Sequence, residues 1–594
     1  MNIQTQNIQE LIEDKNINKN EPLFFDVETI GLYGKIRLAQ FYFGQNDTVI
    51  VCENPDVKQL IEFLDTCHIV SHNIHYEITT IQKQSKSGWI PKRFDCTFLL
   101  AKLQLYSSLS HSFDNCLNHI LQESVYDNKK EMQTSDWSTE SLTKEQLEYA
   151  AKDVYYLPTV WNAVKQSLES DSYRLDKVTL EHCLDFQNTG LHVDIKQLEN
   201  KVQENLSLIE EINLPLNSNS HKQVKEYLER EGSCDDANLA HMIVVEGNTK
   251  ARDIRKTRKL LKQNSFCKKF ITENNRIYGK FSPAPKNGRL SCKDQNLQQI
   301  PRDLKNLFGV PRDNSKILVY ADFSQLEIRA ICAIIGEPTM EKIYRSGGDL
   351  HEHTAKILFG DDFTKEQRTI AKGANFALLY GAGYKTFSKM LLTKAGVYLK
   401  NNCTYCQKYF EHLENYDASP EWFEKHKIIK HTDITHLKTN TCNYEARQII
   451  HNWKGMYETL AAWQQDGKAA WEDKICWETP LGRKYKAKLM TDQLNIRISG
   501  FGAEVSKLAL HYIYKSKKKD HLVCNVVHDS YMLEVPYKDY KEVAQLVGDS
   551  MQKAWVEMSK KCVIKDLPLP VDVLVGYNWG EIESGQHIYK LALN

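Results

Sequence analysis

The segment KILVYADF at 316–323 runs apolar from Ile317 to Tyr320 without alternating, as a buried strand does, and delivers Asp322 at its end. A carboxylate so placed leaves the sheet and faces a cleft. Far along the chain, HLVCNVVHDSYMLEVP at 521–536 reads as two strands joined at His528, Asp529 and Ser530, which puts Asp529 on a hairpin turn. Neighbouring strands lie about 4.8 Å apart, so a hairpin packed beside the first strand lets Asp322 and Asp529 share two metal ions. Taken singly, each is equally a turn aspartate.

Between them, TKEQRTIAKGANFALLYGAG at 364–383 predicts a helix of about four turns, opened by a Thr364/Gln367 capping box and stopped by Gly381 and Gly383. Arg368, Lys372, Phe376 and Tyr380 recur every four residues and drift only about 40° per step, so they line one stripe about 18 Å long. Two cations followed by two aromatics suit a nucleotide: the cations meet a triphosphate, the aromatics the sugar and adjacent base. The same spacing also describes an amphipathic helix with Phe376 and Tyr380 in a core.

A second carboxylate group lies near the start. LFFDVET, IRLAQFYF and TVIVCE, from Leu23 to Glu53, predict three strands that open an α/β domain, and helices interrupted near Pro158 follow. Asp26 and Glu28, two apart on the first strand, project from one face and can hold a metal ion between them. HNIHYE adds Asn73, Tyr76 and Glu77, and YAAKD adds Tyr149 and Asp153, four apart on one helix face. Hydrolysing a phosphodiester by a two-metal route needs such acids, with the ions roughly 3.5 to 4 Å apart and a phenol to orient the attacking water. Asp95 and Asp114 are expected to be structural.

At 594 residues the chain is too long for one hydrophobic core, so three to five lobes are expected. Lys plus Arg number 77 against 77 Asp plus Glu, so a bound polyanion must be met by clustered charge, such as Arg252, Arg255, Lys256, Arg258 and Lys259. Fifteen scattered cysteines fit no secreted disulfide framework and point to free thiols in a reducing cytoplasm. No run approaches the roughly 18 apolar residues of a membrane span, and the first twenty residues have no signal-peptide core. Cys403 and Cys406, with His412, His426, His431 and His436 beyond, make a zinc site conceivable; without a second CxxC, free thiols in an accessory element are expected.

FDVET, HNIHYE and YAAKD, with DWS before the last, resemble the three motifs of 3′–5′ proofreading exonucleases with a ribonuclease H-like fold. NGRLSCKDQNLQQIPRD, DFSQLEIR, RTIAKGANFALLYG and VHDS stand in the order and approximate spacing of family A DNA polymerases of the bacterial large-fragment and phage type. GLHVD at 190–194, LNSNSHKQV at 216–224, TPLGRK at 479–484 and GYNWGE at 576–581 extend the resemblance over nearly the whole chain. It implies an α/β multidomain protein with a ribonuclease H-like exonuclease domain and a right-hand polymerase of palm, fingers and thumb. The expected division is an N-terminal arm at 1–20, the exonuclease at 21–165, connecting helices and thumb at 166–275, a first palm part at 276–338, fingers at 339–455 with an insertion near 395–440, and a second palm part at 456–594.

By the same resemblance, Asp322, Asp529 and the Phe323 carbonyl hold metal, Arg368 and Lys372 clamp the triphosphate, and Phe376 packs near the sugar. Tyr380 stacks near the template base, Gln325 belongs to the nucleotide pocket, His351 approaches the β-phosphate, and Glu327 is a steric gate against a ribose 2′-OH. Arg289, Asn296 and Gln298 contact primer and template, and Asn495 and His528 lie near the primer end. In the exonuclease, Asp26, Glu28, Glu77 and Asp153 hold metal and Tyr149 serves the water. The implied cofactors are two Mg²⁺ ions per site, with Mn²⁺ able to substitute. The implied partners are primer–template DNA and dNTPs, with helicase and single-strand binding protein as further candidates, for a cytoplasmic monomer of a bacterium or phage-infected cell. The activity implied is template-directed DNA synthesis with proofreading, in a compact phage or mobile-element replicase with no 5′ nuclease before Leu23. A single-subunit RNA polymerase and a non-catalytic polymerase-shaped DNA-binding protein are the alternatives.

Three positions depart from the family pattern. Glu77 stands where the second exonuclease motif usually ends in Asp, Ser530 where Glu commonly follows the Asp of VHD, and Ser499 where Gln is common. Glu77 keeps its charge but reaches one methylene further.

Overall fold

Ile317, Leu318, Val319 and Ala321 are wholly buried because their strand, Lys316–Phe323, is the middle one of five. The antiparallel order is Leu522–Val527, Ser530–Pro536, Lys316–Phe323, Val571–Gly576, Tyr589–Leu593. A central strand buried on both faces has no reason to alternate, which is why its sequence does not. Helices Met490–Ser516 and Tyr540–Ser559 pack on each other and carry much of the covering apolar surface, including Phe501, Val505, Val547 and Met551. This computed structural model describes the chain except residues 15–16, 45, 106–109, 127–128, 273, 284, 286, 314, 396–443, 485 and 594. The expected insertion, with Cys403 and Cys406, lies in the largest of these gaps and so outside the described residues.

A second core belongs to a six-stranded sheet, ordered Asn2–Thr5, Thr48–Glu53, Ile36–Tyr42, Pro22–Thr29, His68–Ser71, Phe94–Cys96. The three expected strands are present. The first twenty residues, however, are not a separate arm. Asn2–Thr5 pairs parallel with Thr48–Glu53, and helix Ile8–Glu13 buries Ile8 and Leu11 beside it. The cause is an otherwise open edge at Thr48–Glu53, whose unpaired backbone groups the chain start satisfies. The helical break near Pro158 falls at Tyr156, with Pro158 in the first turn of Leu157–Val164, where its missing N–H is harmless.

Helix Asp171–Thr189 joins the two cores, packing on Thr97–Gln104 on one side and on Met490–Ser516 on the other. Its Asp176, 2% exposed, accepts from Arg483 at 2.7 Å and Lys507 at 2.6 Å, both equally buried, with Glu504 beside Arg483 at 3.6 Å. Helices Ile195–Ile212, Asp236–Glu246 and Thr249–Phe270 build a helical lobe within the stretch expected to be the thumb, and its tip has its own small core around Val224, Leu239 and Ile254. The tip touches the fingers: Lys389 reaches Asp235 at 3.3 Å, and Arg255 donates to the Thr393 carbonyl at 3.2 Å.

Candidate active sites

The first site grows from strand Pro22–Thr29, whose alternation turns Asp26 and Glu28 to the same face. Helix Lys144–Tyr155, capped by Thr143 and Gln146, carries Tyr149 and Asp153 over that face. Oxygens of Asp26, Glu28 and Asp153 all lie within 4.8 Å of one another. Glu77, on helix His75–Ser85, stands against Asp26 but outside that trio; it is 2% exposed and its Oε2 has no hydrogen-bond partner. Burial and mutual repulsion make these acids resist ionisation. Desolvation and the Asp26 charge push Asp153 up to about 7, and desolvation with the Asp26 and Asp153 charges raises Glu28 well above the carboxylate range. Glu77 is raised likewise, by burial and then by Asp26. Four desolvated acids with one orphaned oxygen fit a divalent cation, which supplies the charge they lack.

Two neighbours escaped the sequence reading. The Tyr126 hydroxyl donates to Asp153, and Lys129 lowers the pKa of Asp26, Glu28 and Asp153 by its charge while lying 4.5 Å from the Tyr126 ring. Nothing in the sequence around YDNKK marks them, since a tyrosine and a lysine in a polar stretch are ordinary surface residues. The cleft, about 990 Å³, is also lined by Lys280, Ser291 and Lys293 from the hairpin Gly279–Ser282/Ser291–Asp294 of the other core. Asp95 is structural as expected, held by His68 at 2.7 Å, Tyr173 at 2.7 Å and Lys177 at 3.2 Å.

The second site lies at the end of the five-stranded sheet. Asp322 sits in register between Ser530 on one neighbouring strand and Asp572 on the other, and Asp529 occupies the adjoining turn. Burial, then the charges of Asp529, Asp572 and Glu583, raises Asp322 well above its ordinary value; burial pushes Asp529 up to about 6. Asp572 was not foreseen, although a strand directly beside Lys316–Phe323 had to place some residue opposite Asp322; it is neutralised by Lys590 at 3.0 Å. Two residues beside the pair hold left-handed backbone, His528 at φ 56° and Gln325 at φ 60°. Such strain costs on the order of 1–3 kcal/mol and persists where surrounding structure enforces it.

A cleft of about 280 Å³ opens here, lined by Asp322, Phe323, Asp529, Lys372, Phe376 and His351, and also by Arg289, Gln325, Glu327, Ser499 and His528. Helix Lys365–Leu379 is capped as its sequence predicts, by Thr364 and Gln367. Arg368 is drawn aside to Asp349 at 2.6 Å and Glu352 at 3.5 Å. Tyr380 turns instead to Ser499 at 2.8 Å. His351 is 3% exposed, bonds Asn375 at 3.0 Å, and is held neutral by burial, with its pKa near 4. Arg289 bonds the Glu327 carboxylate.

Three expected DNA contacts are occupied or set back. Asn296 accepts from the Gln298 backbone at 3.0 Å, Gln298 donates to the Val526 carbonyl at 3.1 Å, and the Asn495 Oδ1 is buried without a partner. Of the basic stretch, Arg255 pairs with Asp236 and also reaches the Thr393 carbonyl, Arg258 holds the Ser218 and Cys234 carbonyls at 2.6 and 2.8 Å, and Arg252 and Lys256 are exposed.

Among the described residues no helix is long and apolar enough to cross a membrane, and twelve free cysteines occur, eleven of them buried. Residues 3–169 match the 3′–5′ exonuclease family, and residues 182–439 and 434–581 match DNA polymerase family A. DNA polymerase I of Aquifex aeolicus is 26% identical over 95% of this chain and 97% of its own length. DNA polymerase I of Caldicellulosiruptor bescii is 23% identical over 84% of this chain, which covers 59% of that relative. Among solved structures, the POL domain of Pol1 from M. smegmatis, in complex with DNA primer-template and dNTP, has the same fold, with a TM-score of 0.73 and 16% identity over 98% of this chain and 100% of that one. The polymerase match sets aside the RNA polymerase reading. The chain belongs to DNA polymerase family A and is a DNA-directed DNA polymerase that carries a 3′–5′ exonuclease domain.

Proposed function

We propose that the palm cleft extends a DNA primer by two-metal phosphoryl transfer and that the six-stranded domain edits the new end. The observation that carries this reading is the pairing of Asp322 and Asp529 at one sheet end, both desolvated and resisting ionisation, in a cleft shared with Lys372 and Phe376. Asp322, Asp529 and the Phe323 carbonyl hold one Mg²⁺ pair; Asp26, Glu28, Glu77 and Asp153 hold the other, and Mn²⁺ can replace either. When bound, each pair neutralises phosphate charge and acidifies the attacking hydroxyl or water.

The chain's own residues do the rest. Lys372 meets the incoming triphosphate, joined by Arg368 once it leaves Asp349. Phe376 forms the floor of the sugar site, Glu327 crowds the 2′ position, and Gln325 and His351 flank the phosphates. Neutral His351 can donate a hydrogen bond but brings no charge. Arg289, His528 and Asn495 approach the primer end, and Asn296 and Gln298 order the turn that the template follows. Arg252 and Lys256 meet duplex phosphates without reading sequence. In the editing site Tyr149 orients the attacking water.

Persistence of Asp322, Asp529, the four acids of the exonuclease and the cationic helix speaks against a non-catalytic scaffold. The enzyme acts as a monomer on primer–template DNA, since one chain completes each site. Its buried free thiols support a reducing, cytoplasmic setting, where a helicase and a single-strand binding protein are the natural replication partners. One gel tests the whole reading. Labelled primer–template with Mg²⁺ and dNTPs should lengthen; without dNTPs it should shorten from its 3′ end. Failure to lengthen by a folded protein sinks the polymerase assignment.

A further inference from the structure

We infer that Ser499 is a positioning residue for sugar selection: its hydroxyl ties the Tyr380 phenol to the Glu327 carboxylate and so fixes where Glu327 stands. This rests on the reading of Glu327 as the group that crowds the 2′ position. Ser499 lies on helix Met490–Ser516 and is 2% exposed, so water cannot compete for its hydroxyl. It donates to Glu327 Oε1 at 3.0 Å, and the Tyr380 hydroxyl is 2.8 Å away on its other side. Because the serine proton goes to the carboxylate, Tyr380 must be the donor to serine. The result is a directed chain, Tyr380 to Ser499 to Glu327, in which each bond polarises the next. Arg289 approaches the same Glu327 Oε1 from the other side.

Sequence comparison alone makes Ser499 a shortened contact to DNA. The geometry gives it a different task. Glu327 sits on helix Leu326–Ile335 and Ser499 on Met490–Ser516, two palm helices that pack together, whereas Tyr380 ends the fingers helix Lys365–Leu379. One hydroxyl thus links the nucleotide-carrying helix to the residue that tests the sugar. A group that excludes by crowding works only while it is held in place. Without the serine hydroxyl, the carboxylate keeps Arg289 and a weaker interaction with the Tyr380 phenol, and Arg289 draws it off its position.

The test is the ratio of kcat/KM for a dNTP to that for the matching rNTP, measured in full-length enzyme. Ser499→Ala should lower this ratio by about 3- to 10-fold, the worth of one hydrogen bond, and Ser499→Thr should restore it. Tyr380→Phe cuts the same chain from its other end, so it should lower the ratio as well, and the double variant should lose no more than the larger single loss. A merely structural serine would weaken both substrates alike and leave the ratio unmoved. An unchanged ratio in Ser499→Ala, with Glu327→Ala still relaxed toward rNTPs, overturns the relay and spares the gate. An unchanged ratio in Glu327→Ala overturns the gate itself.

Discussion

The two acid groups differ in what completes them. In the editing site Asp26, Glu28 and Asp153 converge from one strand and one helix of a single core, and the Lys129 charge acts on all three. At the palm, Asp322 and Asp529 share a sheet end and feel the charges of Lys305 and Arg289, but the cations proposed to meet the triphosphate ride on helix Lys365–Leu379, where Arg368 is engaged by Asp349. The acids of the first site and Lys129 lie in one domain, with the other core lining only the surrounding cleft; the second site, as proposed, becomes whole only when a second element delivers its charge. A nuclease need only cut what enters, whereas a polymerase must first test its substrate, and a split site makes testing a step of assembly.

The largest test of that contrast removes one acid from each. Asp529→Ala takes a ligand from both nucleophile activation and triphosphate neutralisation, so extension should fall by at least about 10³-fold, with degradation of single-stranded DNA retained. Asp26→Ala/Glu28→Ala should do the reverse. Near-normal extension by folded Asp529→Ala would remove the hairpin from the chemistry. Wild-type degradation no greater than that of the double variant would show that Glu77 does not sustain editing.

A third acid sharpens the comparison because its charge is already met. Asp176 is more deeply buried than Asp322 and Asp529, yet Arg483 and Lys507 hold it below the usual carboxylate range against the opposing effect of burial. Asp176→Ala strands two buried cations and should destabilise by about 3–5 kcal/mol. Urea unfolding reads this directly, and a loss under about 1 kcal/mol would mean that water reaches the joint.

The sugar pocket comes next in size. Glu327→Ala should raise ribonucleotide incorporation by about 10²-fold, the scale of roughly 3 kcal/mol of lost discrimination. Phe376→Tyr should raise dideoxynucleotide acceptance, because its new phenolic hydroxyl can stand in for the missing 3′-OH contact. Single-nucleotide insertion assays measure both. Unchanged dideoxy discrimination would take the helix out of the sugar site.

Proton uptake separates acids that need a cation from those that do not. Asp153, at about 7, and Glu504, pushed to about 7 by burial, both bind protons in the folded state that the unfolded chain has released by pH 6.5. The histidines lowered by desolvation, His72, His75 and His351 to about 4 among them, have the opposite slope, which fades as the unfolded histidines deprotonate above about 6.5. Glu28, Glu77 and Asp322, raised well above the carboxylate range by burial, add to the protons of the folded state, so between about pH 7 and 8 stability in EDTA should fall as pH rises. Mg²⁺ should flatten the part due to Asp153 and leave the part due to Glu504. Equal slopes of Tm against pH with and without Mg²⁺, outside the error of the scans, would contradict the assignment of Asp153 as a ligand.

How much of this was legible in advance depended on range. Local rules placed Asp26 with Glu28, capped the Lys365–Leu379 helix and set Asp529 on its turn, because alternation, capping and hairpin chemistry act within a few residues. Asp572 opposite Asp322, Tyr126 on Asp153, and the Tyr380 turn to Ser499 depend on elements far apart in the chain, and no periodicity encodes them. The chain start was misjudged for the same reason: Asn2–Thr5 is a strand only because Thr48–Glu53 offers it an edge. Arg368 kept its helix position, yet its guanidinium was claimed by Asp349.

The smallest expected effect tests whether the palm acids tolerate a neighbour without charge. Ser530 lies in register with Asp322, is 4% exposed, and donates to the Val527 carbonyl at 2.9 Å, closing the turn that presents Asp529. Ser530→Ala removes the hydrogen bond to the Val527 carbonyl and the side-chain contact with the Tyr320 phenol, and should cost about 1 kcal/mol of stability. Extension should drop by no more than a few fold, since the hydroxyl touches neither carboxylate and the strand pairing on both sides still fixes the turn. Ser530→Glu is the informative partner: it sets a further acid opposite Asp322, where burial and three nearby charges already resist ionisation. Without metal that variant should be less stable than Ser530→Ala, and Mg²⁺ should narrow the gap. If the alanine variant extended primers more than about tenfold more slowly, the hydroxyl would be positioning Asp529, and the contrast between a self-contained editing site and an assembled polymerase site would then reach into the hairpin itself.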